Sequence, residues 1–361
     1  MELKTPLYAW HEAHGGRMVS FGGYVLPVQY QDGVIAEHKA VRAHAGLFDI
    51  SHMAEMTLEG PDALENIQRI FTNDFRNMKK GRVRYTLMCN EKGGILDDLV
   101  VCKMDEDRYF MVLNASNRAK DAAWIQEHLE GDVRFTDISD STALIALQGP
   151  AAPAILARLA EPAVIPEKYY TLVEDGRVGD ISCIISRTGY TGELGYEFFC
   201  APADAQRLWE LLLATGAPDG LVPCGLAARD TLRLEAAMPL YGHEMDEDTT
   251  PFQAGLHFAV KMDKGDFIGR NALDGMEAPD VVRVGLEVTS RGIVREHEDI
   301  YLGEKKIGHT TSGTMCPGIG KAVAMAYVEK EASAEGTELE ADVRGRRIGV
   351  KVIALPFYKR T

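Results

Sequence analysis

The stretch Asn90-Glu91-Lys92-Gly93-Gly94-Ile95-Leu96-Asp97-Asp98-Leu99 decides how this chain is read. It lies between two apolar runs, Arg84-Tyr-Thr-Leu-Met-Cys89 and Val100-Val-Cys102. Residues 90–94 carry the turn chemistry of a hairpin, because glycine takes positive φ at little cost. Two aspartates then fall inside an apolar strand, where a carboxylate is expensive unless something pairs with it. Adjacent side chains on a strand point to opposite faces. One of Asp97 and Asp98 therefore faces solvent or a backbone donor, and the other faces inward, into a pocket or core. Both carboxylates capping loop amides is one reading. The other is a carboxylate held partly dry beside a substrate amine, as an acid/base or charge-stabilising group.

Working outward, strand-like and helical patterns alternate. Residues 5–16 read as a short helix, with Pro6 in its first turn and Gly15-Gly16 at its stop. Residues 34–45 follow helical spacing, and Gly46-Leu-Phe-Asp-Ile-Ser-His-Met53 reads as a buried strand ending in polar groups. His52 is then either a hydrogen-bonded core histidine or a ligand or base. Helices are expected over 61–71 and 117–129, the latter capped by Ser116 or Asn117. Asn114 ends an apolar strand, as a satisfied turn amide or as an amide that hydrogen-bonds a heterocycle. Residues 142–149 and 181–192 read as strands, the second running into a glycine-bracketed turn around Tyr190. Residues 202–214 read as a helix, and 225–235 as a helix with Arg229 and Arg233 on one face. Strand and helix of mixed length, with hairpins, indicate α+β rather than a doubly wound parallel sheet. Residues 274–280 form a polar, turn-rich linker. After it the pattern becomes short strands and glycine turns, as in a separate β-barrel-like domain at 281–361.

Composition narrows the function. The chain has 361 residues and a net charge of −15, which argues against nucleic acid or an anionic membrane as partner. The chain reads as having no Lys/Arg-rich run; an acidic carrier protein would need a local basic patch, which net charge neither shows nor excludes. The six cysteines lack metal-ligand spacing and read as buried thiols of a cytoplasmic protein, and no metal is expected. Residues 1–6 show no apolar leader, and no apolar run reaches the ~20 residues that span a bilayer. Neither a dinucleotide fingerprint nor a P-loop is present.

Glu197 stands in an aromatic strand beside Tyr196, Phe198 and Phe199. It is either the partner of Arg229 in a structural ion pair, or a carboxylate that accepts two parallel N–H bonds from a flat heterocycle such as pterin. Tyr85 and Tyr190 would then stack on the ring.

The motifs Leu26-Pro-Val-Gln-Tyr, Leu47-Phe-Asp-Ile-Ser-His-Met, the quoted hairpin, Ala146-Leu-Gln-Gly-Pro, Arg187-Thr-Gly-Tyr-Thr-Gly-Glu, Gly225-Leu-Ala-Ala-Arg-Asp-Thr-Leu-Arg-Leu-Glu-Ala and Leu240-Tyr-Gly-His-Glu run through the whole chain. Together they resemble the aminomethyltransferase family of the glycine cleavage system, the T-proteins. That resemblance implies a three-domain, cloverleaf-like α+β protein. Its domains would be 1–53 with 137–225, then 54–136 with 226–273, then the barrel at 281–361. It implies tetrahydrofolate as co-substrate and the lipoylated H-protein as partner. Products would be 5,10-methylenetetrahydrofolate, ammonia and the dihydrolipoyl carrier. It matches the family's key aspartate to Asp98 and its folate-contacting Glu and Arg to Glu197 and Arg229. Tyr85, Val100, Asn114 and Tyr190 match pocket-lining positions, and Tyr358 matches a ligand-contacting tyrosine near the C-terminus. The related folate-dependent demethylases of small methylamines or sulfonium compounds are the alternative. Folate-binding iron–sulfur assembly factors fit less well, because residues 187–193 lack their cysteine.

Overall fold

The strands flanking the quoted turn are Val83–Cys89 and Ile95–Asp105, side by side in a five-stranded sheet. The turn closes as its residues require. Asn90 N–H donates to the Gly94 carbonyl at 2.9 Å, and Asn90 Oδ1 accepts from the Lys92 and Gly94 amides at 2.9 and 3.0 Å. Gly93 supplies φ +86°, and a Cβ on Gly94 would lie 1.7 Å from the Glu247 carbonyl oxygen, so both glycines are obligatory.

This computed structural model describes residues 2–360. It divides into two compact units, one of Met1–Gln68, Phe75–Thr86 and Leu99–Arg229, the other of Arg69–Asp74, Leu87–Asp98 and Asp230–Thr361. The first holds a six-stranded mixed sheet, ordered Leu172–Val178, Ile181–Ser186, Gly195–Cys200, Ala143–Gln148, Ala45–Asp49, Leu221–Cys224. Ala45–Asp49 and Ala143–Gln148 are buried throughout, as expected of continuous apolar runs in a sheet covered on both faces. Trp10, Trp209, Leu208 and Leu212 pack with the sheet residues Leu47, Ile145 and Phe198 in one core.

The second unit ends in the barrel. Six strands close in the order Val281–Val288, Lys321–Glu329, Lys305–Cys316, Asp299–Leu302, Glu338–Val343, Arg346–Ile353. Closure removes the unpaired edges that an open sheet would expose. Residues 322–328 are buried on both faces. Ala324, Ala326 and Val328 fill the barrel core, while Val323 and Met325 pack against Leu234, Ala237 and Cys316.

The fold is α+β with a C-terminal barrel, as the pattern indicated. Helices are shorter than read: Tyr8–Ala13 for 5–16, and Arg118–Glu127 for 117–129. Asn117 occupies the N-cap position but makes no side-chain cap bond, because the 3-10 turn Ala115–Asn117 leads in and its backbone is already helical. All six cysteines are buried thiols outside any disulfide. Among the described residues no helix is long and apolar enough to cross a membrane.

Candidate functional site

All eight residues singled out for ligand contact or chemistry are half-buried: Tyr85, Asp98, Val100, Asn114, Tyr190, Glu197, Arg229 and Tyr358. Asp97 has no exposed surface. Strand alternation thus sends Asp97 into the core and leaves Asp98 on the accessible side. Asp98 and Tyr358 belong to the second unit and the other six to the first.

In the first unit, Tyr190 is presented by a loop whose shape is set from the neighbouring strand end. Gln148 closes Ala143–Gln148; its Nε2 donates to the Thr188 carbonyl at 3.2 Å and its Oε1 accepts from Thr191 Oγ1 at 2.9 Å. Gly189 and Gly195 make room for that amide. A Cβ on either would come within 2.1 and 2.3 Å of Gln148 atoms respectively. Arg42 fastens the far side, donating to the Thr191 carbonyl at 2.7 Å and pairing with Glu193 at 2.9 Å. The Arg229 guanidinium lies 4.7 Å from the centre of the Tyr190 ring, in cation–π range.

Glu197 comes from Gly195–Cys200. Thr188 Oγ1 bonds to its Oε2 and lies 2.9 Å from Ser186 Oγ. Oε1 has no hydrogen-bond partner among the described residues. Burial raises the carboxyl above its usual range, against the Thr188 bond and the attraction of Arg229. Glu197 and Arg229 do not close a direct ion pair, so the structural-pair reading fails; Arg229 has turned to the Tyr190 ring instead. Burial also lowers the Arg229 pKa.

Arg229 also lines a small cleft with Leu26, Phe48, Asp49, Ile50 and Cys224. Asp49 is fully committed: it accepts from Thr5 Oγ1 at 2.6 Å and from the Ser51 amide at 3.0 Å, and it meets His11 Nε2 at 2.9 Å. Tyr30 Oη contacts the other nitrogen of His11 at 2.7 Å. This buried chain ties the helix Tyr8–Ala13 to the cleft wall. His52 is buried, edge-on to the rings of Phe21 and Tyr24, and its Nδ1 has no hydrogen-bond partner. Burial and the charge of Arg229 push its pKa down to about 4, so the imidazole is neutral. It is a packed core histidine rather than a hydrogen-bonded one at that nitrogen.

Val100 pairs with Val112 across adjacent strands, and Asn114 leaves the second of these strands in an extended conformation. In the second unit, the Tyr358 amide donates to the Glu235 carbonyl at 2.7 Å. The Glu235 carboxylate in turn accepts from Gly318 and Ile319 amides at 2.7 and 3.2 Å. Among the described residues no cluster of three or more His, Cys, Asp or Glu is arranged to hold a metal. Thr188, Gln148 and Asp49 were not singled out from the sequence, although each lies in a quoted motif. Their roles depend on pairings across long sequence separations.

An α+β protein with a mixed sheet and a C-terminal closed barrel is the class that these elements define. The comparisons are specific. Family models described as the GCVT N-terminal domain and the glycine cleavage T-protein C-terminal barrel domain match residues 7–264 and 282–359. The aminomethyltransferase of Halalkalibacterium halodurans is 45% identical over 359 residues, covering 99% of this chain and 98% of that relative. That of Bacillus licheniformis is 45% identical with both chains covered completely. The solved aminomethyltransferase T of the glycine cleavage system from Bartonella henselae superposes with a TM-score of 0.91 at 36% identity, over 99% of each chain. The chain belongs to the glycine cleavage T-protein family, the aminomethyltransferases.

Proposed function

We propose that this enzyme takes the aminomethyl group from the lipoyl arm of the H-protein and delivers its carbon to tetrahydrofolate. The C–S bond of S–CH2–NH2 breaks, and the carbon becomes bonded to N5 and N10 of the folate. The two hydrogens leaving those nitrogens end on the sulfur and on the departing amine. The products are the dihydrolipoyl carrier, ammonia and 5,10-methylenetetrahydrofolate, and the atoms balance without an external oxidant.

The observation that carries the reading is Glu197: one carboxylate oxygen tied down by Thr188, the other without a protein partner among the described residues. A carboxylate in that state suits the paired N–H donors on the edge of a pterin. Tyr190, faced by Arg229, supplies an aromatic surface for the ring. Tyr85, Val100, Asn114 and Tyr358 complete the ligand contacts in this reading. Asp98 stabilises the positive charge that develops as the C–S bond opens and raises the nucleophilicity of the folate amine.

The test supplies H-protein loaded with the aminomethyl group, together with tetrahydrofolate. Equal yields of ammonia and 5,10-methylenetetrahydrofolate are expected, and no turnover with sarcosine, dimethylglycine or a sulfonium donor. Turnover of a small donor without the carrier would overturn the reading in favour of a demethylase.

A further inference from the structure

We propose that Glu37 and Arg42, both on the helix Gly33–Ala43, are positioning residues that set Arg229 against Tyr190. This rests on the functional reading above, in which those two side chains meet the folate, and it names what fixes their spacing.

Arg229 is the fourth residue of the helix Leu226–Glu235, and its amide donates to the Gly225 carbonyl at 3.2 Å. Gly225 is therefore the N-cap. This helix cannot cap itself. Gly225 has no side chain, and Ala228 stands where a capping box would put Glu or Gln. Nor is there room for a capping side chain, because a Cβ at 225 would lie 2.5 Å from the Val28 carbonyl carbon. Glu37 supplies the missing acceptor from 188 residues away: its Oε2 accepts from Gly225 N–H at 2.8 Å. Its Oε1 accepts from Tyr30 N–H at 2.5 Å, just past the strand Tyr24–Gln29. One carboxylate, only 2% exposed, thus fixes the helix start against that strand, at the end where the helix dipole favours negative charge. Burial raises its pKa, against the pull of the two amides.

Arg42 acts on the other partner. Its contacts with the Thr191 carbonyl and Glu193 fasten the loop that carries Tyr190. The helix bearing both residues is itself bedded closely. A Cβ on Gly46 would come within 2.4 Å of Val41 Cγ2 and 2.7 Å of Cys224 Sγ, so helix and sheet meet where only glycine fits. Just past the helix end, the His44 carbonyl accepts from the Ala151 amide at 2.9 Å. A single packed helix therefore grips the segment behind Arg229 and the segment behind Tyr190, which are far apart in sequence. Such a jig presets the pair for the ligand and spares binding the cost of ordering it.

The experiment compares wild type with Glu37→Gln, which replaces one acceptor oxygen by a donor, and with Arg42→Gln/Glu193→Gln, which leaves no buried charge unpaired. Should Glu37→Gln not fold, Glu37→Asp, too short to reach both amides, takes its place. Glu37→Gln is repeated in an Arg229→Lys background and the paired change in a Tyr190→Leu background. Tetrahydrofolate affinity is measured by anaerobic calorimetry, kcat by steady-state turnover of aminomethyl-loaded H-protein, and folding by thermal melts. Each variant is expected to weaken tetrahydrofolate binding about tenfold, with kcat at saturating folate close to wild type. In the Arg229→Lys and Tyr190→Leu backgrounds the same changes should add less than about twofold, because effects that pass through a shared residue are not additive. A lowered melting temperature with wild-type affinity overturns the inference, since the helix is then only structural. So does a full tenfold loss on top of Arg229→Lys and Tyr190→Leu. Wild-type affinity in Arg229→Lys and Tyr190→Leu themselves would instead strike the functional reading and the inference with it. Weak binding by those two beside normal binding by the Glu37 and Arg42 variants strikes the inference alone.

Discussion

A single threonine hydroxyl holds the carboxylate that we propose grips the folate. Burial lifts the Glu197 pKa above its ordinary 4.5, and Thr188 partly offsets the lift. The native state therefore holds this proton more tightly than the unfolded chain does. Acid stabilises the fold through Glu197, and rising pH removes that contribution as it passes the folded pKa. Folate binding runs the other way, because a carboxyl that keeps its proton cannot accept both N–H bonds. Affinity for tetrahydrofolate, measured by calorimetry under anaerobic conditions, should weaken on acidification with a midpoint above 4.5. Thr188→Val should move that midpoint upward and weaken binding at neutral pH about tenfold, the ~1.5 kcal/mol of a hydrogen bond to a charged group. Thr188→Ser should restore both. A pH-independent affinity would show that Glu197 does not grip the ligand.

At the scale of the element, the loop carrying Tyr190 is a strand-end device. Gln148 sits between two glycines, and its amide replaces the backbone bonds that the turn cannot make for itself. Gly189→Ala puts a methyl 2.1 Å from Gln148 Oε1 and forces the amide out. The cost is about 1–3 kcal/mol of stability by overpacking. A severalfold rise in the KM for tetrahydrofolate should accompany it, read in the same steady-state assay beside a thermal melt. A normal KM would detach this loop from the proposed folate contacts.

The hairpin at 90–94 was legible because its signal is local: an Asx acceptor, two glycines and flanking apolar runs. The closed barrel was legible for the same reason, as short strands at regular spacing. The Tyr190 loop was legible only as a glycine-bracketed turn. Its cause lies forty residues upstream in Gln148, and no periodicity reports such a contact. Asp97 and Asp98 show the limit most clearly. Alternation states that they part ways, but only the fold reveals that Asp97 is the sealed one. The pair of arginines on the helix at 225–235 was visible, yet their separate fates were not.

For the whole molecule, the chain passes between its two units within the helix Leu226–Glu235 and within both strands of the quoted hairpin. Arg229 ends one unit. Arg233, only 2% exposed, serves the other, pairing with Glu244 at 3.0 Å and donating to Ser312 Oγ at 2.8 Å. Glu244 has no exposed surface, and its Oε2 also accepts from the Leu240 amide at 3.0 Å. Arg233→Leu leaves that carboxylate buried without its cation, which costs about 3–5 kcal/mol. Urea unfolding should show the loss, and adding Glu244→Leu should recover a large part of it. Equal stability of the single variant and wild type would show that the pair carries no weight.

The central claim is that Asp98, and not its buried neighbour, does the chemistry. Turnover of aminomethyl-loaded H-protein, measured beside tetrahydrofolate affinity for Asp98→Asn and Asp97→Asn, tests it most directly. The account predicts that Asp98→Asn binds folate normally and loses about a thousandfold in kcat, the scale of a removed charge-stabilising group. It predicts that folded Asp97→Asn keeps its turnover. Near-normal turnover by Asp98→Asn would contradict it.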